Sequence, residues 1–352
     1  MSTEAGESLR HLDFENARRI LAQIEATRGK EGGINPHLTD IRNMCLWPGD
    51  VTFAKTEWPG AWRIVRVTAD GTEELVFRLH GIVLNKLLPP QRNPVGKSSP
   101  RYLTQSITLG GLGLAYFDDA ADAIMQIDAR LGQRAGYEQM DACAIVKKIE
   151  SRDNTVNISN RYFTARKYAT HLETLPIPKS IDPKGFLERA AGKMYAYMAE
   201  NVVQYERRMV YADGEERYET AEPQEIVAGC IVDVQMSFMA VQTDGMNERF
   251  KTIAVLRVIT ILDDTLARSV MIPAAREVAN RSVDRNLNPE KGGLVLKRRN
   301  GNVPGLYRNN EKANRRPGES KRTEEMAVDR QEAGERTTEN DNGGMMKKQK
   351  KD

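Results

Sequence analysis

Between Asp50 and Leu88 apolar and polar residues alternate with a period of two, the pattern of strands with one buried face. GAWRIVRVT and EELVFRLHGIVL flank Ala69-Asp70-Gly71-Thr72, and Asp-Gly supplies the positive φ values that a tight hairpin turn requires. On the second arm Leu75, Phe77 and Leu79 alternate with Val76, Arg78 and His80, which predicts one buried face and one face carrying cations. A further strand is predicted at YLTQSITL, before the break Gly110-Gly111-Leu112-Gly113, which reads as a tight turn. Hairpins are predicted for AIVKKIES with VNISNRYF, around Arg152-Asp153-Asn154-Thr155, and for VVQYERRMVY, around Ala212-Asp213-Gly214-Glu215.

The strongest strand pattern runs from Cys230 to Leu262. Val232, Val234, Met236 and Phe238 alternate with Asp233, Gln235 and Ser237, and after Asp244-Gly245 a stretch rich in β-branched residues begins at Phe250. The first strand is expected to have one wet face and the second to be buried on both, as at the centre of a closed or two-layered β structure. VTADGTEE and VYADGEER resemble each other, either as a duplicated β unit or because Asp-Gly hairpins recur for local reasons.

Three segments carry a helical period. Asp13 is placed to cap a helix with Phe14, Ala17, Ile20, Leu21 and Ile24 on one stripe, either an extension that docks on the body, the favoured reading, or a partner helix. Asp118 or Asp119 is placed to cap a second, lined by Ala121, Ile124, Met125 and Leu131. Pro183 suits the first turn of a third, running to about Glu200, with Phe186, Leu187, Ala190, Met194, Tyr197 and Met198 on its apolar face.

These elements give a helical extension over 1–36, an α+β body over 37–283 and a tail over 284–352. The body holds one or two β units, with an internal boundary near 175–183, where three prolines fall within eight positions. The tail holds 17 Lys and Arg against 12 Asp and Glu, and one aromatic residue, so it is expected to be disordered and basic. Removing it from the totals of 52 and 49 leaves 35 and 37, so the overall charge of +3 combines a nearly neutral body with a basic tail.

Cys45, Cys143 and Cys230 form no CxxC pair and indicate neither a disulfide framework nor a zinc site. The N-terminus has no apolar signal core, and no run of about eighteen apolar residues occurs. An intracellular location is expected, the nucleus slightly favoured over the cytoplasm for the basic clusters Lys297-Arg298-Arg299, Arg315-Arg316, Lys321-Arg322 and Lys347 to Lys351. No membrane partner is indicated.

Catalytic patterns fail on inspection. Val95-Gly96-Lys97-Ser98 lacks the first glycine of a phosphate-binding loop and contains Pro94 within the required span. Asp118, Asp119 and Asp122 are explained by a helix dipole, and Asp263 and Asp264 by a solvated turn. The four histidines, His11, His37, His80 and His171, show no metal-binding spacing, and no serine sits in a nucleophile elbow. No enzyme activity, cofactor or metal is expected.

The charge pattern points elsewhere. From Leu75 to Phe117 there is no Asp or Glu over 43 residues, whereas Arg78, Lys86, Arg92, Lys97 and Arg101 are present, which predicts a positive local potential. RYFTARKY, from Arg161 to Tyr168, interleaves cations with aromatics, and Trp47, Trp58 and Trp62 fall near the first hairpin. Cations for phosphates and rings for bases are what a single strand of nucleic acid needs, although such rings serve equally well as core. The candidate interface comprises Arg63, Arg66, Trp62, Arg78, Lys86, Arg92, Lys97, Arg101 and Tyr102.

Gly229 to Leu262, GCIVDVQMSFMAVQTDGMNERFKTIAVLRVITIL, resembles the paired strands near the C-terminal end of single-stranded-DNA-binding OB-fold proteins, in which a Gly-led alternating strand turns into a second strand of aliphatics. The resemblance covers about a tenth of the chain, lacks the base-stacking aromatics usual in that pair, and transfers no site residue. It implies a β-barrel or sandwich core of OB-like type, with peripheral helices, that binds single-stranded nucleic acid. The expected function is non-catalytic binding of single-stranded DNA or RNA, with homo-oligomerisation a further expectation. A structural or scaffold subunit with a self-associating β body, capsid-like or otherwise, is the alternative.

Overall fold

A strand rich in Val, Ile, Met and Phe with neighbours along both edges is the element from which the architecture is built. In the structure, a computed structural model, this strand is β12, Ile231–Gln242. Residues 9, 11–27, 35–41, 49–56, 60–91, 100–136, 140–148, 153–168, 172–211, 213–243 and 249–269 are described. The expectation of a disordered tail, the VGKS loop, Arg92 and Lys97 lie outside them.

Along one edge β12 pairs antiparallel with β13, Phe250–Asp263, over its whole length. Its other edge is shared: Ile231–Met236 pair with β4, Phe77–Leu87, and Met239–Val241 pair with β2, Ala61–Thr68. The predicted first hairpin therefore divides. Gly71–Glu74, strand β3, turns back on β2 as expected, but the chain leaves at Leu75-Val76 and β4 joins β12 instead. Sharing one edge between two strands requires that break.

From β4 the sheet continues antiparallel through β5, Thr104–Gly110, to β7, Asn154–Arg161. β7 then meets β13 in parallel through one register pair, Ser159 with Val255. The strands β12, β4, β5, β7 and β13 thus form a ring whose last seam is barely zipped, so it is not a closed barrel. β1, Val51–Thr56, extends the sheet beyond β2, and β6, Val146–Lys148, folds back on β7. β8, Thr164–Ala165, and β9, Tyr195–Ala196, pair with each other. β10, Gln204–Val210, lies parallel to β13 and forms the third hairpin with β11, Glu216–Thr220.

The core is one large cluster inside the ring, in which Phe77 and Phe238 meet at 5.6 Å between centroids. The first helix, α1 (Phe14–Thr27), is capped as expected, with the Asn16 amide donating to the Asp13 carboxylate at 3.0 Å. It docks by burying Ala17, Leu21 and Ile24, two of them against Ile231, whereas Phe14 at the start of the stripe stays exposed. A short helix α2, Leu38–Ile41, follows.

The second predicted helix begins earlier than Asp118. α3 spans Ala115–Ala135, its Phe117, Ile124, Ile127 and Leu131 entering the core while Met125 is exposed. The turn before it is as tight as its glycines imply: a Cβ on Gly111 would lie 2.2 Å from that of Phe117. The third helix is shorter than its stripe. α4 spans only Phe186–Ala191, because Gly192 takes φ +53° and Met194, expected to be buried, faces solvent.

Burial of the central pair reverses the expectation. β12 is buried on both faces, Asp233 and Ser237 included, while β13 has half-exposed positions at Ile253, Arg257 and Val258. No helix among the described residues is long and apolar enough to cross a membrane.

Phe238→Ala is expected to destabilise the fold by about 3–5 kcal/mol, since a buried ring leaves a cavity that a β-sheet cannot close. Met125→Ala should stay within about 0.5 kcal/mol. Urea unfolding of the two variants checks both values.

Candidate nucleic-acid interface

At the weak seam between β7 and β13 the surface opens into a cleft of about 640 Å³, and both residues of the seam's register pair, Ser159 and Val255, line it. Asn160 bridges the gap from β7, its side-chain amide donating to the Leu256 carbonyl at 3.2 Å and to the Glu200 carbonyl at 2.9 Å. Five cations surround the opening: Arg63 from β2, Arg101, Arg161 from the end of β7, and Lys251 and Arg257 from β13.

Three of these are tied into a chain of alternating charge. Arg161 pairs with Glu200 at 2.6 Å, Glu200 with Arg63 at 3.6 Å, Arg63 with Glu74 at 2.8 Å, and Glu74 with Arg257 at 2.7 Å. Burial works against ionisation of Glu74, yet Arg257 and Arg63 hold its pKa below the ordinary 4.5. For Glu200, burial is likewise outweighed, by Arg161, by a hydrogen bond from the Thr164 hydroxyl and by Arg63. Five cations against these two carboxylates leave the cleft with three positive charges in excess.

The rim is built differently. Arg101 and Tyr102 sit in a 3-10 turn, Pro100–Tyr102, just ahead of β5. The tyrosine is 62% exposed, and the Arg101 guanidinium lies 4.4 Å from its ring centroid while also donating to its hydroxyl. Lys251 is exposed on the facing strand.

Of the candidate residues, Arg63, Arg101 and Tyr102 meet in this cleft. Trp62 does not: strand alternation turns it to the opposite face of β2, where it packs against the core beside Lys55. Arg66, three residues from Arg63, shares that opposite face and pairs with Asp50 at 3.2 Å. Lys86 lies on β4 outside the cleft lining.

The expected cation face on β4 is not a solvent face. Arg78 pairs with Asp233 at 2.7 Å and is 11% exposed, and His80 is fully buried with its Nδ1 3.2 Å from Glu25. Both strand faces are covered here, one by the core and one by α1 and the segment at Asn35–His37, and the missing acids arrive from other elements.

RYFTARKY likewise separates. Tyr162 and Phe163 are buried with Ile181, Leu187 and Tyr197, so these two aromatics are core, while Arg161 alone of the segment lines the cleft. Lys251 and Arg257 were not singled out by the sequence. The signal for Arg257 was a lone charge inside the apolar run IAVLRVITIL, where a core strand has no use for one.

The chain matches no family of known proteins, and no curated protein matches it. Among solved structures it is similar to that of gp2.5, a single-stranded DNA binding protein encoded by bacteriophage T7, with a TM-score of 0.30 and 9% sequence identity over 53% of this chain and 86% of that one. A likeness of that size carries no argument about either fold or ligand.

The depressed carboxylates fix a pH dependence. Their contribution to stability is fully present above 4.5 and is lost as pH falls through their lower folded values. Denaturation midpoints of the parent are therefore expected to hold from pH 7 to about pH 5 and to drop below it. Glu200→Gln should lower the midpoint at pH 7 and flatten the acid limb; an acid limb identical to the parent's would show that Glu200 is not held ionised.

Proposed function

We propose that the cleft binds a single strand of nucleic acid without catalysing a reaction on it, on an OB-like ring. The carrying observation is the gathering of five cations from four separate stretches of chain around one opening, with an exposed arginine-backed tyrosine at its rim. Lys and Arg neutralise phosphates, and an exposed ring offers a base a surface to stack on whatever its identity.

The order of the ring supports the OB-like reading. β4, β5 and β7 form an antiparallel meander, β7 runs parallel to β13, β13 antiparallel to β12, and β12 returns to β4. In that architecture oligonucleotides lie across the second and third strands, between the first and last hairpin loops. Here those are β5 and β7, the stretch ending at Tyr102, and the β12–β13 connection, which Thr243 enters; Thr104, Asn160, Tyr102 and Thr243 all line the cleft.

A second reading, self-assembly of the β body, is favoured by the β10–β11 ribbon, whose edge strand is exposed throughout and which displays Val210, Tyr211 and Tyr218. Sedimentation with and without an oligonucleotide separates the two.

Binding to labelled single strands of DNA and RNA and to duplex, across a salt series, tests the proposal. The parent is expected to prefer single strands, and Arg101→Ala, Arg161→Ala and Lys251→Ala should each lower the slope of log K against log salt by roughly 0.7. Tyr102→Ala should cost on the order of 1–3 kcal/mol per stacked base and leave the slope unchanged. Arg66→Ala, on the opposite face of β2, should change neither. A parent that binds no strand, or a triple cation variant that binds like the parent, would refute the assignment.

A further inference from the structure

Away from the cleft, three segments distant in sequence bring metal-ligating side chains to one point. Glu25 comes from the last turns of α1, His37 from the residue preceding α2, and His80 from β4. One carboxylate oxygen and two imidazole nitrogens there lie within 4.8 Å of one another. His80 is fully buried and His37 is 5% exposed. The His37 backbone is held in place by a bridge to Arg78, whose amide donates to the Pro36 carbonyl at 2.9 Å.

The geometry points to a structural site for a divalent transition-metal ion, zinc above others, that fastens the N-terminal helix to β4. Bonds of about 2.0–2.1 Å in a tetrahedral zinc site put neighbouring donors roughly 3.3 Å apart. Glu25 Oε2 and His80 Nδ1 are already 3.2 Å apart, and the His37 ring meets the His80 ring edge-on at 4.4 Å between centroids. The three donors lie within 4.8 Å of one another, so the His37 nitrogen has to approach by up to about 1.5 Å to share the same centre.

The surroundings of His80 fit a ligand. Imidazoles that bind a metal through one nitrogen donate the other N–H to a carboxylate, which fixes ring and tautomer. With Nδ1 on the metal, the buried Nε2 of His80 faces Asp233 Oδ1 at 3.8 Å, beyond hydrogen-bond distance, so that donation needs an approach of a few tenths of an ångström. Asp233 is itself clamped by Arg78 at 2.7 Å. Two imidazoles and a carboxylate suit zinc, nickel or cobalt far better than calcium or magnesium. Enclosure by α1 and β4 makes the role structural.

The test uses the full chain, stripped with a chelator and titrated with zinc. One equivalent is expected to bind and to raise the thermal midpoint, reversibly on chelation, and cobalt(II) should give the visible d–d bands of a tetrahedral site. Glu25→Gln and His37→Ala should abolish stoichiometric binding, and Asp233→Asn should weaken it by roughly 10–100-fold. X-ray absorption on the loaded parent keeps the test independent of how the variants fold: two imidazoles with oxygen support the site. A sulfur ligand overturns it, as does a parent that binds less than one equivalent, or ligand variants that bind as the parent does.

Discussion

Everything in this body depends on how the two edges of β12 are used. One edge is given wholly to β13, and the other is divided between β4 and β2, so a single strand joins the ring to the sheet that extends beyond it. The division has an energetic reason. A twelve-residue strand buried on both faces must have its amides and carbonyls paired throughout, since a buried unpaired backbone group costs about as much as a lost hydrogen bond. Neither β4 nor β2 covers the whole edge: β4 pairs with Ile231–Met236 and β2 with Met239–Val241, so most of the edge is satisfied only by using both. The break at Leu75-Val76 and the departure of β4 from its hairpin follow from that requirement.

The same constraint shapes the charge distribution. β12 carries Asp233 into a buried place, and Arg78 of the adjacent strand, in register with Gln235, answers it directly. A buried carboxylate stripped of its partner would be strongly destabilising, so Arg78 is committed to the fold rather than to solvent. In the cleft the commitment is graded. Arg63 and Arg257 are held by Glu74, Arg161 less completely by Glu200, and Arg101 and Lys251 stand at the outer edge.

This explains what the sequence made legible. The Asp-Gly hairpins at Gly71 and Gly214, the cap at Asp13 and the strand pair from Cys230 onward are local, set by residues within one or two turns of each other, and each is present. The acid-free stretch from Leu75 to Phe117 was a true property of the chain but not of the surface, because its acids arrive from 155 residues away in the case of Asp233. Arg257 and Glu74, 183 residues apart, were hidden for the same reason. The four histidines lack any metal-binding spacing in sequence, yet His37 and His80 stand ring against ring because His37 bridges to Arg78 beside β4. Pairings of this separation are decided by strand order, which alternation alone does not encode.

Two carboxylates stand against the cations of the cleft, Glu200 in its lining and Glu74 paired with Arg63 and Arg257, and the proposed binding of a polyanion has to accommodate both. A phosphate approaching Arg63 or Arg257 must compete with Glu74 at 2.8 and 2.7 Å, so these two cations offer less attraction than their number implies. Their role is geometric: an arginine clamped by a carboxylate loses little rotamer freedom on binding, and the cost of ordering it has already been met in folding. The rim cations are held differently, Arg101 lying against the Tyr102 ring and Lys251 exposed on β13, with no carboxylate in the lining beside them other than Glu200. On the proposed function, a strand would be drawn in by the rim cations over a Debye length and then seated against the carboxylate-held arginines. That order of events follows from where the acids are, since placing Glu74 and Glu200 at the rim instead would cancel the long-range field and leave the floor disordered.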